Sequence, residues 1–141
     1  MPAAVLDPGV LVAALISPGG APARLLLAWF EGYFELVVSP RLLEELERVL
    51  RRTKFRRYVT AAEVTEYVEL LARRAVVVHD PAAAPPVTPD PGDDYLVALA
   101  RAARADVLVS GDIHLTGLED PEPPVLTPRR FLDQLGAGRW E

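Results

Sequence analysis

The sequence of 141 residues contains no cysteine and only two histidines, His79 and His114. Without cysteine, the chain cannot form disulfides, cysteine-ligated zinc sites, iron–sulfur clusters or a thiol nucleophile. Two histidines are also too few for a three-histidine metal site. Any metal must therefore be held mainly by oxygen atoms, which favours Mg²⁺ or Mn²⁺.

Long apolar runs are also absent from the N-terminal part of the sequence. The longest such stretch there, residues 10–16, is far shorter than the ~20 residues that a membrane-spanning helix needs. No basic residue precedes it, so it does not match a signal peptide. We therefore expect a cytoplasmic protein that does not enter a membrane.

Positive charge is scarcer than negative charge. The chain has 15 basic and 20 acidic residues, which give a formal net charge of −5. This balance argues against a generally basic surface that coats nucleic acid. It leaves open where the acidic residues lie, and their positions therefore decide the functional interpretation.

Half of the residues are apolar, and the length is that of one domain, which we expect to cover residues 1–141. Apolar runs predict strands at residues 3–6, 34–38, 75–78, 107–110 and 125–126. Amphipathic patterns and caps predict helices at residues 10–16, 21–30, 39–52, 60–74, 93–103 and 127–135. The five prolines of residues 80–92 indicate a surface loop. Strands that alternate with helices indicate an α/β fold with a parallel sheet covered on both faces.

Several acidic residues follow predicted strands or begin predicted helices. Asp7 and Asp112 come just after strands, and Asp93 and Asp94 begin a helix; one further helix carries Glu44, Glu45 and Glu47. Each has an ordinary structural explanation as a helix cap, a turn residue or part of a solvated helix face. Carboxylates at the ends of neighbouring buried strands repel one another unless a cation lies between them. No basic residue precedes Asp7 and none lies between Arg74 and Asp93, so a divalent cation is the simplest counter-charge.

Five segments together resemble the PIN-domain ribonucleases, in particular the VapC-like toxins of toxin–antitoxin modules. They cover nearly the whole chain: Val5-Leu6-Asp7 with residues 10–12, Ser39-Pro40 through Leu46, Asp93-Asp94 through Ala100, Ala105-Asp106 through Gly111-Asp112, and Leu126-Thr127-Pro128 through Leu132. The family's glutamate directly precedes a leucine, so Glu45 rather than Glu44 matches it. The family's Asp-x-Leu-Ile/Val-Ala pattern selects Asp94, whereas helix facing with Leu96 and Ala100 favours Asp93. We follow the family pattern and keep Asp93 as an accessory residue.

The resemblance implies a three-layer α/β/α PIN-like fold with a five-stranded parallel sheet in the order 3-2-1-4-5. It also implies an Mg²⁺- or Mn²⁺-dependent endoribonuclease that hydrolyses RNA phosphodiester bonds. The catalytic and metal-binding residues would be Asp7, Glu45, Asp94 and Asp112, with Ser39, Ser110, His114 and Asp93 as accessory residues. Toxins of this kind form homodimers or higher homo-oligomers and are paired with a cognate antitoxin.

The sequence departs from the family at two positions. The family usually reads Asp-Thr/Ser-Asn after the first strand, and this chain has Asp7-Pro8-Gly9. Backbone N–H groups at the start of the next helix could replace the missing hydroxyl and amide. His114 stands where another aspartate often follows the Gly-Asp pair, and its ordinary interpretation is a surface histidine. These departures favour an alternative, in which a catalytically weakened PIN-like protein binds RNA or a protein partner.

A basic run follows the helix that carries Glu45. Its six cations are candidates for RNA binding, and Phe55 and Tyr58 lie among them: Arg48, Arg51, Arg52, Lys54, Arg56 and Arg57. Phosphate contact combined with base stacking is one interpretation of this pattern. A solvated helix end, where cations suit the helix dipole, is the other.

Three other enzyme and binding classes fit the sequence less well. A haloacid-dehalogenase-type phosphatase needs a second aspartate at the position of Gly9. A response-regulator receiver needs a lysine after a late strand, and the only lysine is Lys54. A nucleotide-binding Rossmann protein needs a glycine-rich turn, which the sequence after the first strand does not provide.

Overall fold

Five short strands form one parallel sheet. They are β1 (Ala3–Leu6), β2 (Glu35–Val38), β3 (Val76–Val77), β4 (Val107–Val109) and β5 (Val125–Leu126). The structure is a computed structural model that describes residues 1–140, apart from the side chain of Pro91. Glu141, the last residue of the predicted domain, lies outside the described residues.

The sheet has the order β3-β2-β1-β4-β5, and every neighbouring pair is parallel. Val5 of β1 is in register with Val37 on one side and with Leu108 on the other. The predicted three-layer α/β/α architecture and strand order are confirmed. The direction of winding reverses between β1 and β4, and ligands of such sheets bind at the carboxyl ends of the strands at this point.

Seven α-helices lie within residues 1–140. They are α1 (Pro8–Ile16), α2 (Ala21–Phe30), α3 (Pro40–Leu50), α4 (Ala61–Arg74), α5 (Pro91–Ala102), α6 (Ile113–Thr116) and α7 (Pro128–Gly136). The six helices that the sequence predicts are all present. The short α6 and a single 3₁₀ turn (Thr53–Phe55) were not predicted, because elements of three or four residues carry no usable periodicity.

Two helices begin two residues before their predicted starts. Asp7 caps α1 and Asp90 caps α5, so each helix includes the proline that follows its cap. Proline is tolerated at the first helical position because the N–H group that it lacks would have no helical partner there. As a result, the N-cap of α1 and the first turn of α5 bring acidic residues to the carboxyl end of the sheet.

The core holds the sheet rigidly behind this end. β4 and the last three residues of β1 and β2 are buried, and both helical layers supply leucines to the same cluster. The rings of Phe34 and Phe131 meet edge to face with centroids 5.2 Å apart. The buried Tyr67 hydroxyl donates a hydrogen bond of 2.8 Å to the carbonyl of Leu11 and so ties α4 to α1. The residues that end β1 and β4 are therefore held in fixed positions.

Within residues 1–140, no single helix is long and apolar enough to cross a membrane. Only α1 and α2 taken together, with a bend of 95° between them, meet the requirement by length and composition.

Candidate active site at the carboxyl ends of β1 and β4

Asp7 lies at the end of β1 and faces the end of β4. Its backbone N–H donates to the carbonyl of Val109 at 3.0 Å, and its Oδ1 accepts the N–H of Val10 at 2.9 Å. The residue is only 8% exposed. Burial raises the pKa of Asp7 even though the Ser110 hydroxyl and nearby amides hydrogen-bond to the carboxylate. Asp7 is thus both the predicted helix cap and a carboxylate that is costly to ionise.

Asp112 follows β4 by three residues and is held by Ser110, which also contacts Asp7. Its backbone N–H donates to Ser110 Oγ at 3.0 Å, and its Oδ1 accepts the N–H of His114 at 2.9 Å. Ser110 is fully buried, and its hydroxyl also lowers the pKa of Asp7. The charge of Asp112 in turn raises the pKa of Asp7. One buried serine therefore links the Asp7 carboxylate to the backbone of Asp112.

Asp93 adds a third carboxylate from the first turn of α5. Burial raises the pKa of Asp93 to about 6, and repulsion by Asp112 and Asp90 adds to the effect. The nearby Asp112 carboxyl and the charge of Asp7 raise the pKa of Asp93 further. Asp93 Oδ2 is buried and has no hydrogen-bond partner. We call Asp7, Asp93 and Asp112 the three-aspartate cluster.

Within the described part of the chain, the three-aspartate cluster has no counter-charge: no side-chain nitrogen of arginine, lysine or histidine forms an ion pair with these carboxylates within 4.0 Å. Oxygen ligands and an orphaned buried oxygen suit a hard divalent cation such as Mg²⁺ or Mn²⁺. Within residues 1–140, no three acidic or histidine side chains already form a ready metal site, so side-chain adjustment would have to accompany binding.

Asp94, the residue that the family pattern selects, is not brought into the cluster. Its buried Oδ1 accepts the N–H groups of Val87 and Thr88 at 3.0 and 2.8 Å. Burial opposes ionisation, but these two amides and the Thr88 hydroxyl outweigh it and lower the pKa of Asp94. The preference for Asp94 over Asp93 does not match this geometry, because the Asp94 carboxylate serves the proline-rich loop. Helix facing, the competing sequence argument, favoured the aspartate that meets Asp7 and Asp112.

Glu45 approaches the cluster through a tyrosine. Glu45 lies in the middle of α3, and its Oε2 accepts a hydrogen bond from the hydroxyl of Tyr95 on α5. Burial raises the pKa of Tyr95, with further contributions from Glu45 and Asp7, so the hydroxyl remains a proton donor. The Arg41 guanidinium covers the Tyr95 ring at 4.1 Å from its centroid. Glu45 is therefore joined to the helix that carries Asp93.

A cleft of about 630 Å³ runs along α3 beside the cluster. It is lined by Arg41, Glu44, Glu45, Glu47, Arg48, Arg51 and Gly92. Gly92 directly precedes Asp93 along the chain, so one end of the cleft is bounded by the residue next to the three-aspartate cluster, and none of the three aspartates lines the cleft itself. Arg48 lies 4.0 Å from Glu45, and Arg51 is held at 2.9 Å by both Glu47 and Thr65.

The remaining cations of the basic run lie beyond the cleft. Arg52 ends the α3 region, and Lys54 belongs to the 3₁₀ turn, where its ammonium lies 5.1 Å from the Phe55 ring centroid. Arg56 and Arg57 are exposed in the following turn, with Arg57 over the ring of Tyr58. Two of the six predicted RNA-binding residues thus line the cleft, and four form an exposed extension of it.

The predicted accessory serines and histidine have different surroundings. Ser39 is fully buried and caps α3 by accepting the N–H of Leu42 at 3.2 Å. Ser110 lies within the cluster, as described above. His114 is exposed in the first turn of α6. Of these three side chains, only Ser110 contacts the three-aspartate cluster through its side chain.

The Asp7-Pro8-Gly9 departure has a local structural explanation. Backbone N–H groups of Gly9 and Val10 hydrogen-bond to the Asp7 carboxylate and thereby lower its pKa. A Cβ atom at position 9 would lie 3.1 Å from Asp7 Oδ1. Glycine therefore lets the start of α1 close tightly on the carboxylate, and the backbone supplies donors that the family takes from side chains.

Sequence reasoning missed Tyr95 and Arg41. Tyr95 was not among the candidate residues, and in the structure it is only 4% exposed. Arg41 was not among the candidates either. A buried tyrosine must satisfy its hydroxyl, and this requirement is the signal that could have suggested a polar partner near Asp93.

Comparisons with known proteins agree with this fold. A sequence profile of the PIN domain matches residues 3–114. The uncharacterized protein MJ1680 of Methanocaldococcus jannaschii is 25% identical, with 92% of this chain and 89% of that protein covered.

Two solved structures are similar over most of their length. PAE2754 from Pyrobaculum aerophilum has a TM-score of 0.67 at 17% identity, covering 96% of this chain and 90% of that one. VapBC2 from Rickettsia felis, crystallised with a DNA fragment from their promoter, has a TM-score of 0.64 at 14% identity, covering 89% and 98%. At these identities the likeness shows the fold alone. The sequence profile spans most of the chain, and the chain therefore belongs to the PIN domain family.

Proposed function

We propose that this protein is a metal-dependent endoribonuclease that hydrolyses RNA phosphodiester bonds and acts as the toxin of a toxin–antitoxin pair. Membership of the PIN domain family supports a nuclease. The observation that carries the metal dependence is the buried Asp93 Oδ2, which has no hydrogen-bond partner and faces two further carboxylates. An arrangement of this kind is unfavourable unless a cation enters it.

The proposed ligands are Asp7, Asp93 and Asp112, with Glu45 approaching from α3. Asp93 takes the role that the family pattern assigned to Asp94, because the Asp94 carboxylate is already occupied by two loop amides. When bound, Mg²⁺ or Mn²⁺ supplies Lewis-acid activation of water and neutralises charge on the phosphate. Ser110 would orient Asp7 through its hydroxyl and Asp112 through its backbone amide.

The hydroxyl that hydrogen-bonds to the Asp7 carboxylate, that of Ser110, does not suit a nucleophile. Ser110 is fully buried and already hydrogen-bonded, so its hydroxyl is not accessible to a phosphodiester. The chain has no cysteine. Attack by water is therefore the proposed reaction, with the carboxylates positioning the groups that react.

The cleft along α3 supports RNA as the substrate. Three arginines and three glutamates of α3 and its C-cap line the cleft together with Gly92, which precedes Asp93, so the cations that can contact phosphate are interspersed with acids. Arg52, Lys54, Arg56 and Arg57 extend the positive charge, and Phe55 and Tyr58 offer rings for base stacking. The phosphates of the RNA backbone would contact these cations, and the phosphate to be cleaved would lie at the three-aspartate cluster.

The test is cleavage of labelled RNA with Mn²⁺ by the wild type and by Asp7→Asn. We expect cleavage by the wild type to stop when EDTA is added, and a decrease of about 100-fold or more in Asp7→Asn. Asp133→Asn, at an exposed aspartate of α7 outside the cleft, is the matched control and should cleave normally. If the wild type cleaves no RNA and binds no Mn²⁺, the nuclease proposal is wrong.

The second candidate is a catalytically weakened PIN-like protein that binds RNA or a protein partner. The Asp7-Pro8-Gly9 segment favours it, because the hydroxyl and amide that usually support the site are missing. RNA binding without cleavage in Mn²⁺, unaffected by Asp7→Asn, would support this alternative over the nuclease.

The proposed biological partner is a cognate antitoxin, and a homodimer is the proposed assembly. The structural similarity to VapBC2 of Rickettsia felis supports an antitoxin partner. Co-expression of the product of the neighbouring reading frame, followed by co-purification and inhibition of RNA cleavage, tests the antitoxin. Light scattering of the isolated chain tests the homodimer.

A further inference from the structure

We propose that Tyr95 is a positioning residue that directs the Glu45 carboxylate towards the three-aspartate cluster. The proposal rests on the proposed function, because it concerns how the same site is completed. Tyr95 was not among the candidate residues from the sequence. Its role follows from contacts that only the tertiary structure creates.

Glu45 differs from the other glutamates of α3 in its partners. Glu44 is exposed, and Glu47 pairs with Arg51 at 2.9 Å on the surface of the cleft. Glu45 instead reaches across to α5, where the Tyr95 hydroxyl donates to its Oε2. Of the three adjacent acids, only Glu45 is connected to the helix that carries Asp93.

Arg48 makes a second contact with the Glu45 carboxylate. Arg48, one turn further along α3, lies 4.0 Å from Glu45 Oε1 and is 72% exposed. Exposed ion pairs of this length hold side chains only weakly. A hydrogen bond from a buried hydroxyl to a carboxylate is stronger and more directional. Tyr95 therefore determines where the Glu45 carboxylate lies, and Arg48 takes over when the hydroxyl is absent.

The position of the Tyr95 hydroxyl is itself fixed by packing. The residue is 4% exposed and belongs to the hydrophobic core. Arg41 covers one ring face at 4.1 Å, and Asp93 lies two residues earlier in the same helix. One rigid helix thus supplies Asp93 directly and holds Glu45 through Tyr95. Residues that orient metal ligands commonly change metal affinity or activity about 10–100-fold when they are removed.

The experiment measures Mn²⁺ binding by calorimetry in the wild type and in Tyr95→Phe, which removes only the hydroxyl. We expect Tyr95→Phe to weaken Mn²⁺ binding about 10-fold and to lower kcat while leaving the KM for RNA nearly unchanged. In a Glu45→Ala background, the same substitution should have no further effect on Mn²⁺ affinity.

Tyr67→Phe is the matched control. Tyr67 is also a buried tyrosine, and its hydroxyl donates to the Leu11 carbonyl away from the acids. We expect this variant to lose thermal stability but to bind Mn²⁺ with unchanged affinity. If Tyr95→Phe does not fold, Glu45→Asp replaces it, because a side chain shorter by one methylene cannot reach the hydroxyl and should weaken Mn²⁺ binding similarly.

The outcomes separate the inference from the proposed function. If the wild type binds Mn²⁺ and Tyr95→Phe binds it equally well, the positioning role is wrong and the nuclease proposal stands. An equal loss in the presence and absence of Glu45 also contradicts the role, because Tyr95 would then act without Glu45. If the wild type neither binds Mn²⁺ nor cleaves RNA, the proposed function fails and the positioning role fails with it.

Discussion

Asp93 and Asp94 are adjacent in the first turn of α5, but their carboxylates have opposite surroundings. On one side, Asp94 is buried and satisfied by two loop amides, and its pKa is lowered. On the other side, Asp93 faces Asp112 and Asp7, its pKa is raised to about 6, and one of its oxygens has no partner. A satisfied carboxylate stabilises the fold, whereas an unsatisfied one is available to a ligand. The difference favours a structural role for Asp94 and supports the proposed metal-binding role of Asp93.

The largest expected effect that tests this comparison is on RNA cleavage. Asp93→Asn and Asp94→Asn are matched substitutions at adjacent positions that each remove one charge and keep the shape. We expect Asp93→Asn to reduce Mn²⁺-dependent cleavage by about 100-fold or more, because it removes a proposed metal ligand. Asp94→Asn should retain cleavage within about a few-fold, because an amide oxygen can still accept the loop N–H groups. Single-turnover assays of the two purified variants provide the measurement, and equal losses would remove the distinction between the two sides.

The next largest effect is on the free energy of unfolding, where we expect substitution of Asp94 to cost more than substitution of Asp93. Asp94→Ala should lower the free energy of unfolding by about 1–2 kcal/mol, because the partly buried amides of Val87 and Thr88 lose their acceptor. Asp93→Ala should cost much less, or even stabilise the metal-free protein, because it relieves repulsion from Asp112. Urea denaturation in EDTA measures both. A larger loss in Asp93→Ala than in Asp94→Ala would contradict the assignment.

The smallest effect is on the pH dependence of stability without metal. The raised pKa of Asp93 means that folding favours its protonated form, so its contribution is greatest below the unfolded value of 3.8 and is lost as pH rises to about 6. Lowering the pH from 7 to 5 should therefore add roughly 1 kcal/mol, after allowance for solvent screening. The lowered pKa of Asp94 acts in the other direction, and its contribution is lost as pH falls below 3.8.

Urea denaturation in EDTA at pH 7, 6 and 5 measures this dependence. Asp93→Asn should remove most of the increase in stability between pH 7 and pH 5. The remainder comes from Asp7, because burial also raises the pKa of Asp7. A wild-type protein that becomes less stable between pH 7 and pH 5 would show that Asp93 ionises freely and that its surroundings do not oppose its charge.

Much of the fold could be predicted because local signals agreed with one another. The apolar runs of β1, β2 and β4 are the buried strands of a parallel sheet, and Ser39-Pro40 and Thr127-Pro128 begin helices as cap and first-turn residues. The short α6 had no such signal, because four residues do not complete enough turns to show a period.

The site was predictable only in part. Asp7 and Asp112 follow β1 and β4 closely, and strand order alone brings strand ends together. The choice between Asp93 and Asp94 depended on two sequence arguments that disagreed. The connection of Glu45 to Tyr95 joins residues 50 positions apart, and no spacing in the sequence indicates it.

The sequence by itself determined the chemistry that is available to this protein. With no cysteine and two histidines, any metal site must consist mainly of oxygen ligands, and the strand pattern predicts a parallel sheet whose carboxyl end can receive them. Only the tertiary structure decided which carboxylates meet at that end of the sheet. Successive residues of a helix point about 100° apart, so Asp93 and Asp94 face different segments of the chain. What each side chain meets there, the amides of Val87 and Thr88 or the carboxylate of Asp112, depends on how distant parts of the chain pack together.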